Sequence, residues 1–132
     1  MERIEKQMQF ILEIDKEKQI KRKTLQSNGK DFEDDAQHAW HVAIMTLLLS
    51  EYANEKIDVL KTISMLLIHD LVEIDAGDTY AYDDQGLKTQ NERENLAANR
   101  IFNLLPEDQA KKIFDLGMNL KKEKHPKLSL PE

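Results

Sequence analysis

The stretch Met65-Leu66-Leu67-Ile68-His69-Asp70-Leu71-Val72-Glu73-Ile74-Asp75-Ala76-Gly77-Asp78 constrains this chain more than any other. It sets His69 and Asp70 side by side inside an apolar run, with Glu73 and Asp78 close behind. Burying an uncompensated polar group costs about 2–7 kcal/mol, and a charge costs more. A helix that carries these groups on its inner flank must therefore compensate them. The two usual ways are pairing among themselves and a bound metal ion.

The composition fits a helical domain. The 132 residues are 40% hydrophobic and 33% charged, enough for one domain with its own core. Only 4 Gly and 3 Pro interrupt them, which favours long helices over a β-rich or disordered chain. The net charge of −6 gives no nucleic-acid footprint, so a phosphate site would need local cations. With no Cys, thiolate metal sites and Cys nucleophiles are excluded. The first residues lack a signal-peptide core, and no run approaches the roughly 18 apolar residues of a membrane span. The expectation is a cytoplasmic protein without membrane contact.

Along the chain, Ile4, Met8, Ile11 and Leu12 recur at helical spacing over residues 2–14. The basic run Lys16, Lys18, Lys21, Arg22, Lys23 reads either as a solvated helix face or as a cationic wall for an anionic ligand. Ser27-Asn28-Gly29-Lys30 is a turn, and Asp34 or Asp35 caps the next helix. On that helix His38, Val42, Met45 and Leu49 form one expected buried stripe, with His41 toward its flank. A His so placed is more often a hydrogen-bonded core residue than a ligand.

The next helix runs from Ile57 to Ile74, with Ile63, Leu66, Leu67 and Asp70 on one side. Its His69/Glu73 and Asp70/Glu73 spacings let all three converge. Gly77 permits a bend that turns Asp78 back toward the same flank, and residues 80–86 form a polar rim. A helix over 89–105 is expected to turn Leu96, Ala97, Ile101 and Leu104 inward and Glu92, Arg93 and Glu94 outward. Pro106 stops it and starts another helix, through Ala110, Ile113 and Phe114. The fold class is all-α, a compact array of five to six helices with no sheet.

Imidazoles and carboxylates without Cys suit Mn²⁺, Mg²⁺, Co²⁺, Zn²⁺ or Fe. Such an ion lowers the pKa of water and polarises a phosphoryl oxygen. The competing reading is a buried His–Asp pair that merely staples two helices.

The segment from Asp34 to His41, followed by Leu67 to Thr79, resembles the HD-domain metal-dependent phosphohydrolase superfamily. Within it the pattern is most similar to the small 5′-deoxynucleotidase-like branch, over about residues 10–116. The resemblance implies His38, His69 and Asp70 as metal ligands. It implies that Glu73 and Asp78, with the Thr79 backbone, bind a second metal or activate water. Arg22, with Lys23 beside it, would hold the substrate phosphate. The implied reaction is hydrolysis of a nucleoside 5′-monophosphate or similar small phosphomonoester by a homodimer, with a divalent metal such as Mn²⁺, Co²⁺ or Mg²⁺.

One departure stands out. The family's metal site is completed by a later Asp, and nothing after Asp115 fits that part. Residues 117–132 read as an irregular, non-family tail. A back-translation with one nucleotide restored at Leu116 yields a family-like acidic and aromatic peptide. The expectation is a frame-shifted, C-terminally incomplete domain at 1–116 with impaired activity. The alternative function is a non-catalytic helical remnant that binds metal or a partner; a nucleic-acid binder lacks the basic surface it needs.

Overall fold

The structure, a computed structural model, describes residues 1–77 and 89–122. Helix α1 (Arg3–Ile14) leads through a 3-10 turn (Asp15–Gln19) into a hairpin of β1 (Lys21–Leu25) and β2 (Phe32–Asp34). Helix α2 (Asp35–Leu49) follows with no linker, then a 3-10 turn (Ser50–Tyr52) and α3 (Val59–His69). A further 3-10 turn (Asp70–Val72) joins α3 to the short α4 (Glu73–Ala76); α5 (Gln90–Phe102) and α6 (Glu107–Lys122) complete the described chain. The helical class is as expected, with one correction: β1 and β2 pair antiparallel, Lys21 opposite Asp34 and Leu25 opposite Phe32. Asn28 makes the turn between them, its Oδ1 accepting from the backbone N–H groups of Lys30 and Asp31, and Gly29 supplies a φ of 71°.

The core lies where α5 packs on α4 and on the turn before it. Leu71, Val72, Ala76, Ala97, Ala98, Ile101 and Phe102 are buried together, flanked by Phe10, Ile14, Ile68, Ile113 and Phe114. The paired alanines let α5 approach closely, and Phe102 meets Phe114 edge-on, with ring centroids 6.2 Å apart. Helix α3 sits between α2 and α6. Arg100 joins three elements from outside, donating to Asp75 on α4 at 2.8 Å and to Glu13 on α1 at 2.6 Å.

Several inward faces differ from those expected. On α2 the buried residues are Asp35, Ala39 and Ala43, not the stripe of His38, Val42, Met45 and Leu49. Small side chains there set the approach of α2 to α3. Ile4, Met8, Ile11 and Leu12 are exposed on α1, which packs through Phe10 and Ile14 instead. On α5, Leu96 points out and Glu94 is buried, its Oε1 accepting from Gln90 Nε2 at 3.0 Å.

The expectation of an irregular end is corrected over residues 117–122. The chain from Gly117 is helical to Lys122, and a Cβ on Gly117 would lie 3.2 Å from the Phe102 ring and 3.3 Å from Ile68. A glycine lets α6 seat against that ring. Residues 123–132 lie outside the described residues, and no described helix is long and apolar enough to cross a membrane.

Candidate metal centre

Three carboxylates gather where the start of α2 meets the end of α3. Each of Asp35, Asp70 and Glu73 offers an oxygen within 4.8 Å of the other two. The local backbone explains the grouping. Asp34 caps α2 by accepting from the Gln37 N–H at 2.8 Å, while the Gln37 side chain accepts from the Asp34 N–H. Capping is complete with Asp34, so Asp35 enters the first turn and faces inward. After His69 the helix tightens to 3-10 geometry, in which side chains three apart eclipse. That stacks Glu73 over Asp70 more directly than over His69.

Arg22 reaches this cluster from β1. Its Nη1 donates to Asp35 Oδ1 at 3.1 Å and, more weakly, to Asp70 Oδ2 at 3.5 Å. Burial opposes its charge, but Asp70, Asp35 and Glu73 outweigh that, and its pKa ends above the ordinary value. Burial drives the Asp35 pKa upward, aided by the charge of Asp70 and opposed by hydrogen bonding from Glu73 and Arg22. Glu17, buried nearby, is pushed up to about 7 by burial and then by Asp35, Asp70 and Asp34. Asp35, Asp70 and Glu73 thus crowd three acids around one guanidinium, and Glu17 feels the charge of the first two. Arg22 cannot neutralise them all, and the remaining charge calls for protons or a cation.

The histidines are set for the second. His69 Nδ1 lies 3.1 Å from the Leu66 carbonyl, which can only accept, so the Nδ1 proton is committed there. Its Nε2 then turns a lone pair toward Asp70 Oδ1, 3.1 Å away. Two acceptors at that distance repel unless a proton or a metal lies between them. His38 Nδ1 is likewise engaged, 2.8 Å from Glu33 Oε1, which leaves Nε2 as its available nitrogen. Orientation of a ligating imidazole by a partner on its other nitrogen is the usual support of a metal-binding His. The donor set therefore fits a divalent cation.

The expected site residues divide clearly. The structure brings together Asp70, Glu73 and Arg22, with His69 beside Asp70. His38 and His69 are not among the three gathered donors. Lys23 is exposed on β1. Asp78 and Thr79, with the rim at 80–86, lie outside the described residues. Gly77 has φ 78° and ψ 168°, a region open essentially to glycine alone, and the expected bend beyond it lies outside the described residues. Asp35 is the residue that sequence reasoning missed. Its signal was present: two consecutive acids where one suffices as a cap.

A family model of the HD domain matches residues 14–126. The chain belongs to the HD-domain family. Its match to a solved structure, a predicted metal-dependent phosphohydrolase from Magnetospirillum magnetotacticum MS-1, has a TM-score of 0.84 at 46% identity. That match covers 93% of this HD-domain chain but 61% of the other, so this chain spans less than two thirds of that relative's length. No protein of curated function matches it.

Proposed function

We propose that this HD-domain chain is a metal-dependent phosphohydrolase of small phosphomonoesters, with nucleoside 5′-monophosphates as the substrate class and a 5′-deoxynucleotidase-like specificity. The observation that carries the reading is the facing pair His69 Nε2 and Asp70 Oδ1, 3.1 Å apart with the His69 proton committed elsewhere. It is supported by membership of the HD-domain family and by the solved relative described as a predicted metal-dependent phosphohydrolase.

His38, His69 and Asp70 would hold the cation, with Asp78 and the Thr79 backbone available to it or to a second ion. Bound there, a divalent ion such as Mn²⁺, Co²⁺ or Mg²⁺ supplies Lewis-acid charge and a more acidic water. The chain's own groups do the rest. Arg22 pairs with phosphate oxygens, since a guanidinium matches them in a fork, and Lys23 adds positive charge at the rim. Glu73, within reach of Asp70, accepts the proton of the attacking water; Asp78 is the other candidate for that task. Self-association through the exposed apolar faces of α2 and α3 makes a homodimer the expected assembly, which light scattering measures.

Elemental analysis and a deoxynucleotide panel with added Mn²⁺, Co²⁺ or Mg²⁺ test the reading. Bound metal and released phosphate are expected, both lost on Asp70→Asn, with activity down at least about 100-fold. A fully metal-loaded protein that hydrolyses none of the panel would refute the enzymatic reading. It would instead select a non-catalytic metal-binding module, a second reading favoured by Arg22 already pairing with Asp35 and Asp70.

A further inference from the structure

The proposed chemistry leaves Asp35 without a task, yet it is the most deeply placed charged group in the described chain, 0% exposed. It does not cap α2, because Asp34 does. It adds no apolar surface. One of its oxygens accepts from Arg22 Nη1, Glu73 also hydrogen-bonds the carboxyl, and Oδ2 has no donor among the described residues. Holding a carboxylate so far from water is costly, and its place in the first turn of α2, where the helix dipole favours an acid, returns only a small part of that cost.

Arg22 shows the complementary oddity. A guanidinium carries five N–H donors in a fixed fork. Here Nη1 alone serves two carboxylates, one at 3.1 Å and one at 3.5 Å, and the buried Nε has no acceptor among the described residues. The side is thus held by one corner, with donors to spare. Of the two carboxylates, Asp70 also faces His69 Nε2, so it is the one a cation would claim. Asp35 is the one that stays with Arg22.

We propose that Asp35 is a positioning residue that tethers Arg22 by Nη1, holding the guanidinium to a long 3.5 Å contact with Asp70 and keeping its remaining donors directed to a tetrahedral oxyanion, the phosphate of the substrate. The proposal rests on the reading of the site as a phosphate-handling metal centre. Removing the tether lets Arg22 settle on the carboxylates that remain beside it, Asp70 Oδ2 and Glu73. Phosphate then loses its partner while the metal-binding side chains stay in place.

The test is a double-mutant cycle on the full chain, read as affinity for inorganic phosphate at saturating Mn²⁺ by calorimetry, with Mn²⁺ affinity measured separately by electron paramagnetic resonance. Asp35→Asn and Arg22→Ala should each weaken phosphate binding about 10-fold or more, and the double variant no further than Arg22→Ala alone. Mn²⁺ affinity should stay within about threefold in Asp35→Asn and fall at least about 100-fold in Asp70→Asn. An Asp35→Asn loss that persists undiminished in the Arg22→Ala background overturns the tether. So does an Mn²⁺ loss matching that of Asp70→Asn, which would make Asp35 a ligand. Circular dichroism monitors folding; should Asp35→Asn not fold, Arg22→Lys replaces it. A lysine keeps the charge but cannot hold Asp35 and phosphate together, so it should lose phosphate as Arg22→Ala does, and wild-type affinity would overturn the proposal. A wild-type protein that binds Mn²⁺ but no phosphate is a different failure: it removes the functional reading, and the tether with it.

Discussion

Helices α5 and α2 treat their side chains in opposite ways. Helix α5 buries Ala97, Ala98, Ile101 and Phe102 in one apolar face, with Glu94 buried a turn before them, and shows water Leu96, Asn99 and Arg100. Helix α2 buries Asp35, Ala39 and Ala43 and leaves Trp40, Ile44, Leu47 and Leu48 exposed, Leu48 to 66%. The first helix is an amphipathic element of the core. The second gives its inner face to small residues and one acid, which brings α2 close enough for Asp35 to meet Asp70 and Glu73. Stability is concentrated at α5, and chemistry at the start of α2.

Truncations should break that symmetry first. Phe102→Ala empties a fully packed site, and urea unfolding should register a loss of about 3–5 kcal/mol. Leu48→Ala on α2 removes an exposed side chain, and less than about 0.5 kcal/mol is expected in dilute, monomeric protein. A comparable loss at both positions would erase the contrast.

The acidic side of the comparison is sharpened by pH. Glu17 titrates near its ordinary 4.5 in the unfolded chain and at about 7 in the folded one. As pH rises through that interval the unfolded state loses the proton first, so this group's contribution to stability is complete below about 4.5 and gone above about 7. In metal-free protein, Glu17→Gln should match the parent at pH 4 and exceed it by about 1–3 kcal/mol at pH 8, measured by thermal or urea unfolding. A variant less stable than the parent at pH 8 would mean that the charged carboxylate has a favourable partner.

The smallest effect is expected at the seam of α6 with the core. Gly117→Ala gains up to about 1 kcal/mol of helix propensity but presses a methyl against the buried Phe102 ring and Ile68. The ring is itself enclosed, so a net loss near 1 kcal/mol is expected, and Phe102→Leu in the same chain should relieve it.

What was legible in the sequence follows from how local each signal is. The cap at Asp34 and the turn at Asn28-Gly29 depend on neighbours in the chain and stand where the sequence put them, whereas the helix before Pro106 ends earlier than expected, at Phe102, and the next begins at Glu107. The convergence of Asp70 and Glu73 was readable as a helical spacing, though the tightening to 3-10 geometry that favours it over His69/Glu73 was not. The hairpin was hidden because Lys21 to Leu25 is basic and carries no alternating apolar pattern; its pairing comes from β2 across the turn. The inner face of α2 was misread because apolar residues occur on nearly every side of it, so periodicity could not choose. Only the position of α3 does, and that is a tertiary fact. Asp35 was lost in the shadow of Asp34.

The absence of any linker between β2 and α2 carries a consequence of its own. Asp34 is the last residue of a strand and the cap of a helix at once, and Lys21 stands opposite it, next to Arg22. Strand registry and helix phase are locked like two gears on one shaft. A hairpin slipped by a single step would carry Arg22 to the other side of the ribbon and unseat the acid it meets. The small ribbon therefore works as an alignment gauge, and insertions in its turn should be tolerated only where they preserve that count.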